Sequence, residues 1–294
     1  MVAPASKHLI RLAAITDEFS PDLDVALDAM KSVGMTGVEL RTIGGRNLVE
    51  LSDDDIERSV AAARAREMEI VSIASPLLKC VLPDGPRVDD RFQQDVFGSS
   101  FTFEDQPRLT KRVFEIARLT GARIMRVFSY WRTVDPPRCE QRIAAALHAL
   151  AEEASKHGVR IGLENEYACN VGTAAESARL LGRLLHPNLQ LIWDPANAFI
   201  LGDTPYPDGY RLLSPDRILH VHVKDCVLRD GRAVWGPIGD MDIEWAGQIA
   251  ALKGDQYRGW LSLETHWTGP SGDKLEASVI CGRRLRELVG AAGA

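Results

Sequence analysis

Val159-Arg160-Ile161-Gly162-Leu163-Glu164, Leu189-Gln190-Leu191-Ile192-Trp193-Asp194, Ile218-Leu219-His220-Val221-His222-Val223-Lys224-Asp225 and Trp260-Leu261-Ser262-Leu263-Glu264 are four short apolar runs, each ending in a residue that can bind a metal. Glu164 to Asp194 spans 30 residues, Asp194 to His222 spans 28, and His222 to Glu264 spans 42. Each interval holds one strand and a return helix. Strands buried on both faces read as continuous apolar runs. Placed side by side in a closed parallel sheet, they would bring two Glu, one Asp and one His to one mouth.

The same alternation runs through the rest of the chain. Strands are expected at Ile10–Ile15, Gly37–Leu40, Met68–Ala74 and Arg123–Phe128. Helices are expected after Ser20-Pro21, after the cap Ser52, over 105–119, over Pro136–His157, after the capping box Thr173–Glu176, as a short connection around Tyr210–Leu213, over Asp242–Leu252 and over Lys274–Leu288. Eight strand–helix alternations without a linker predict one (β/α)8 TIM barrel domain over 1–294. An open doubly wound sheet would call for a Gly-rich phosphate turn after the first strand, where Thr16-Asp17-Glu18-Phe19 stands. Residues 76–104 carry Pro83, Gly85, Pro86 and Gly98 and are expected to form a long loop serving as a lid. A small hairpin is expected within 226–240.

Composition narrows the function. The 294 residues are 45% hydrophobic and 26% charged, with a formal net charge of −6. That balance gives no electrostatic footprint for nucleic acid or an anionic membrane. No apolar stretch reads as membrane-spanning, and Met1 to His8 lacks the core of a signal peptide. Cys80, Cys139, Cys169, Cys226 and Cys281 are scattered, without metal or redox spacing, as expected of reduced thiols in a cytoplasmic protein.

Three carboxylates and one imidazole (Glu164, Asp194, His222, Glu264) form a hard donor set for a single divalent ion. Mn²⁺ is expected first, with Mg²⁺ or Co²⁺ as alternatives; the lack of thiolates argues against structural zinc. His222 lies nearer the mouth than His220, which reads as a packed or hydrogen-bonded barrel residue. Glu39, Arg41, Lys79, Arg126, Lys224 and His266 fall at or just beyond strand ends. Asn165 and Glu166 follow a ligand and could orient it. Trp131, Trp193, Trp235 and Trp267 are expected near the mouth.

With these residues in view, the whole chain resembles the xylose-isomerase-like barrels, the sugar phosphate isomerase/epimerase family. The likeness rests on Gly162-Leu163-Glu164-Asn165, Trp193-Asp194-Pro195-Ala196-Asn197, His220-Val221-His222-Val223-Lys224-Asp225 and Leu263-Glu264. It implies one metal on Glu164, Asp194, His222 and Glu264, and, in the epimerases, two bases at Glu164 and Glu264. Asn197 stands where epimerases and endonuclease IV carry a His, and the further histidines of a three-zinc site are missing.

The resulting expectation is a metal-dependent isomerase or epimerase acting on a ketose or keto-polyol through an enediolate. Glu164, Glu264 and Lys224 are the expected catalytic residues, and Glu39, Arg126, Asn197 and His266 the expected substrate contacts. Dehydration of an inosose or 3-keto-sugar shares the intermediate and stays open as an alternative. A non-catalytic sugar-binding barrel and an endonuclease IV-like phosphodiesterase are the contrasting classes. The expected partner is a small sugar-like molecule, not nucleic acid or membrane; homo-oligomerisation is left open.

Overall fold

The computed structural model describes residues 10–92 and 100–292. Eight parallel strands close into a barrel: β1 (Arg11–Ile15), β2 (Gly37–Leu40), β3 (Glu69–Ile73), β4 (Ile124–Val127), β5 (Arg160–Glu164), β6 (Leu189–Trp193), β7 (Ile218–Val223) and β8 (Trp260–Leu263). Each is bonded to its neighbours in sequence, and β8 returns to β1. The helices are α1 (Leu23–Ser32), α2 (Asp53–Ala65), α3 (Gln106–Thr120), α4 (Glu140–His157), α5 (Ala174–Arg183), α6 (Pro195–Ile200), α7 (Tyr210–Leu212), α8 (Trp245–Gly254) and α9 (Lys274–Ala291). This is a (β/α)8 barrel in which two short helices, α6 and α7, take the place of one between β6 and β7.

Local chemistry fixes most of these boundaries. Ser52 and Asp55 cap α2 reciprocally, and Thr173 and Glu176 do the same for α5. α1 starts later than Ser20-Pro21 suggests. Asp22 is its cap, accepting from Val25 N, while Ser20 Oγ accepts from Asp22 N in the turn before it. The helix expected from Pro136 opens as a 3-10 turn, Pro136–Cys139, before α4.

Inside the barrel, polarity changes with height. Ala13, Val71 and Trp260 form one small apolar group, and Ile124, Ile192 and Leu219 another. Gly37 and Gly162 complete this floor because nothing larger fits. A Cβ on Gly37 would stand 2.6 Å from the Trp260 ring and 2.7 Å from Ala13 Cβ. Side chains two residues apart on a strand share a face. Stepping up by two from Gly37, Ile124, Gly162, Ile192, His220 and Ser262 gives Glu39, Arg126, Glu164, Asp194, His222 and Glu264. The same alternation that seals the bottom therefore loads the top with charge.

Of the 76–104 run, residues 93–99 lie outside the described residues. Its first part is not irregular padding. Leu77, Leu78, Cys80 and Leu82 are buried. The carbonyls of Leu77, Leu78 and Cys80 accept from Phe128 N, Tyr130 N and Trp131 N, so this part lies along the segment leaving β4. Beyond β7, Cys226–Arg229 and Arg232–Trp235 pair antiparallel. They turn at Asp230-Gly231, both with positive φ. Asp225 clamps the return, accepting from Gly239 N at 2.7 Å and Ile243 N at 3.1 Å. All five cysteines are free and buried. Among the described residues no helix is long and apolar enough to cross a membrane.

Two predictions follow from packing and burial. Gly37→Ala forces a methyl against a rigid indole between paired strands, and overpacking of this kind costs about 1–3 kcal/mol. Urea unfolding is expected to show a lower midpoint at unchanged slope; an unchanged midpoint would mean that the floor has slack. Burial pushes the Asp225 carboxyl up to about 6, against backbone N–H groups that pull it down. The folded state thus holds this proton more tightly than the unfolded chain. Its contribution is full below the ordinary carboxylate range and is lost as pH rises through about 6. The loss amounts to roughly 3 kcal/mol between pH ~4 and ~7. Asp225→Asn is expected to remove that share of the slope of stability against pH; identical slopes would sink the assignment.

Candidate active site

Four strand ends deliver the four ligand-type side chains. Glu164 is the last residue of β5, His222 lies near the end of β7, and Asp194 and Glu264 follow β6 and β8 directly. One donor atom from each lies within 4.8 Å of all the others. All four are buried. His222 Nδ1 sits 3.0 Å from Glu164 Oε1 and 3.5 Å from Glu264 Oε2. Asp194 doubles as the cap of α6, its Oδ1 accepting from Asn197 N at 2.9 Å.

Three buried carboxylates this close need positive charge. Lys224 Nζ lies 2.9 Å from Asp194 Oδ2 and 3.0 Å from Glu264 Oε2. Arg126 Nη1 lies 3.3 Å from Glu164 Oε2 and 3.8 Å from Glu264 Oε1. Arg41 Nη1 donates to Glu264 Oε1 at 2.9 Å. Its guanidinium is held in turn by Asp17 at 2.8 Å and Glu18 at 2.5 Å. Burial alone would raise every one of these carboxyl groups. At Glu264, Lys224, His266, His222 and Arg41 outweigh burial and hold the carboxyl well below its usual range. At Glu164, His222 and Arg126 do the same more mildly. At Asp194, burial wins: with Glu164 and Glu264 adding repulsion, its proton affinity rises despite Lys224. Burial lowers the proton affinity of Lys224, but Asp194 and Glu264 raise it well above the usual amine range.

The donor set fits a divalent ion. Glu164 Oε2 and Asp194 Oδ2 are buried without a hydrogen-bond partner, and His222 turns Nδ1 toward Glu164 and Glu264. Lys224 approaches the Asp194 oxygen only as an ion pair. Three hard carboxylates and one imidazole converging with unspent acceptor capacity suit Mn²⁺, Mg²⁺ or Co²⁺.

The other expected site residues separate into two groups. Arg126 and Lys224 reach the cluster directly. Glu39 is assigned to substrate by the sequence, but the structure sets it lower. It is fully buried, with Oε1 2.8 Å from His220 Nε2 and 3.3 Å from His222 Nε2, so it faces imidazoles. Asn197 is likewise buried, and its amide donates to Asn165 O at 2.9 Å and lies 3.5 Å from Glu164 Oε1. It braces a ligand rather than facing the mouth. His266 lies beyond the cluster, its Nδ1 3.4 Å from Glu18 Oε1 and its ring edge-on to Trp235 at 4.9 Å. Trp193 turns outward and donates to Gln248 Oε1 at 3.1 Å, beneath α8 rather than at the mouth. Asn165 exchanges hydrogen bonds with the Asp194 backbone on both sides, at 2.8 Å each. Asp17 and Glu18 escape the sequence reading. Their signal is position alone: both follow the end of β1, where a barrel keeps its active site.

The geometry agrees with the comparisons. The family model for the xylose isomerase-like TIM barrel matches residues 27–285, and the chain belongs to that family. Inosose dehydratase from Salmonella typhimurium is 27% identical over 168 residues, covering 51% of this chain and 54% of that protein. 3-Dehydroshikimate dehydratase from Pseudomonas putida is 30% identical over 162 residues, covering 52% of this chain but 25% of that protein. The chain thus spans about half the length of the first relative and a quarter of the second. A xylose isomerase-like barrel from Mycobacterium smegmatis, solved in complex with magnesium, superposes with a TM-score of 0.70 at 17% identity. That match covers 99% of this chain and 100% of the other.

The convergence predicts a thermal response to metal. Mn²⁺ added to chelator-stripped protein is expected to raise the melting temperature, by the equivalent of about 2.7 kcal/mol at a hundredfold excess over Kd. Asp194→Asn and His222→Ala should shrink the shift. A shift of full size in both variants would place the ion elsewhere.

Proposed function

We propose that this family member is a metal-dependent enzyme that removes a proton beside the carbonyl of a cyclic polyhydroxy ketone and then eliminates water. One observation carries the reading. Both oxygens of Glu264 accept hydrogen bonds from cations, while Glu164 Oε2 accepts none and meets only Arg126, as an ion pair at 3.3 Å. Of the two carboxylates, Glu164 is therefore the readier base. Epimerisation through two carboxylate bases, which the resemblance implies, would ask Glu264 to accept a proton that Arg41 and Lys224 oppose. The two curated relatives named above are dehydratases as whole proteins, which supports elimination.

The roles then divide among this chain's own residues. A divalent ion on Glu164, Asp194, His222 and Glu264 would supply a Lewis acid for negative charge on the substrate oxygens. Glu164 Oε2 takes the proton from the carbon next to the carbonyl. Arg126, 3.3 Å from that oxygen, stabilises the charge that develops beside it. Lys224 gives a proton to the β-hydroxyl as its C–O bond breaks. Water leaves, and an α,β-unsaturated ketone remains. Solvent then returns one proton to Lys224 and removes one from Glu164.

Glu164→Gln is expected to keep measurable metal and lose about 10²–10⁴-fold in turnover, the usual contribution of a positioned base. Lys224→Met should separate the two steps: solvent deuterium still enters the α-carbon, while release of water falls by a similar factor. Mass spectrometry in D₂O across inososes and 3-dehydroshikimate reads both. A wild-type product of the same mass as its substrate, apart from deuterium, would replace elimination with isomerisation or epimerisation.

A further inference from the structure

We infer that Glu39 is a positioning residue for the metal, acting through His222. The inference rests on the metal reading above and adds to it a residue that touches no ion. Glu39 lies on β2 and His222 on β7, strands that do not pair, so their contact crosses the barrel interior. Glu39 Oε1 lies 3.3 Å from His222 Nε2 and 2.8 Å from His220 Nε2. The two rings stand edge to face at 86°, with centroids 5.4 Å apart, and all three side chains are wholly buried. The Glu39 carboxylate thus sits at Nε2 of both imidazoles, hydrogen-bonded to His220 and in ion-pair contact with His222. His222 thereby turns Nδ1 toward the cluster, where it is hydrogen-bonded to Glu164 at 3.0 Å and lies 3.5 Å from Glu264.

Two physical effects follow. The ring of His222 is held in one orientation between Glu39 and Glu164, so little ordering remains to be done when an ion arrives. The negative charge behind it also makes Nδ1 a stronger donor. His220 supports the arrangement from the other side by occupying the same Glu39 oxygen. Gly37, two residues below Glu39, is the close-packed floor position against Trp260 that fixes this height on β2. One rival arrangement exists on the same atoms. Glu39, His220 and His222 also bring donor atoms within 4.8 Å of one another and could hold a second ion. His222 would then have to serve two metals through opposite nitrogens.

Cobalt titration separates these cases. Chelator-stripped protein is titrated with Co²⁺, following visible absorption for ligand geometry and a competing chelator for Kd. Wild type is expected to bind one equivalent. Glu39→Ala should weaken binding 10–100-fold, the usual effect of losing an orienting partner, and should shift the spectrum. Glu39→Gln keeps a neutral acceptor and should lose less. In a His222→Ala background, Glu39→Ala should change Kd no further; circular dichroism checks that each variant is folded. Unchanged Kd and spectrum in both Glu39 variants, or an undiminished effect without His222, would overturn the inference. So would two equivalents in wild type with one lost in Glu39→Ala, which would make Glu39 a ligand. A wild type that binds no Co²⁺ would overturn the metal reading first, and this inference with it.

Discussion

Burying three carboxylates within a few ångströms of one another is the constraint on which the rest of this structure depends. Moving one ion out of water costs several kcal/mol even after relaxation, and like charges add to that. Glu164, Asp194 and Glu264 are at most 4% exposed. The compensation comes from Lys224, Arg126 and Arg41, which are themselves buried and need anions in turn. The demand therefore spreads outward. Arg41 recruits Asp17 and Glu18; Glu18 meets Lys274 at 3.2 Å and His266 at 3.4 Å. Ser278 Oγ on α9 donates to the Glu18 carbonyl at 2.6 Å. A helix on the outside of the barrel is thus coupled to the charge at its mouth.

The barrel makes such a site affordable by separating it from its own floor. Strand alternation repeats every two residues, so one sequence step of two carries Gly37 to Glu39 and Gly162 to Glu164. The lower layer is small and apolar, filled by Trp260, Ile192 and their neighbours. Water is excluded from below, and the electrostatic interactions above act in a low dielectric where they are strongest. Between the two lies a transitional layer, where Glu39 and His220 meet in one buried contact at 2.8 Å.

This layering explains what could be read from the sequence. The eight strands were legible because buried parallel strands are continuous apolar runs, and the four ligand-type residues because each closes such a run. The capping boxes at Ser52 and Thr173 were legible because their chemistry is local. Depth was not. Glu39 and Asn197 stand at strand ends in sequence, yet the twist and stagger of a closed barrel set them beneath the mouth, facing His220, His222 and Asn165. Trp193 fails for the complementary reason: it alternates with Ile192 and so must point to the helices. Asp17 and Glu18 were illegible because their roles exist only once Arg41 is in place, and nothing in spacing announces a partner on the next strand.

A set of four ligand-type residues at one barrel mouth does not by itself fix a reaction. Loss of a proton beside a carbonyl leads to several products, and the groups that choose among them are those that still have a free oxygen or a proton to give. Glu264 Oε1 is taken by Arg41 at 2.9 Å; without Arg41, its nearest cation would be Arg126 at 3.8 Å. On the reading proposed above, a residue two positions past Glu39, outside every ligand motif, thus decides whether Glu264 can act as a second base. Lys224 is placed to make the complementary choice, since its ammonium bridges the two ligands that follow β6 and β8. The ligands establish where charge accumulates. On the same reading, the cations that make their burial tolerable establish which proton moves next.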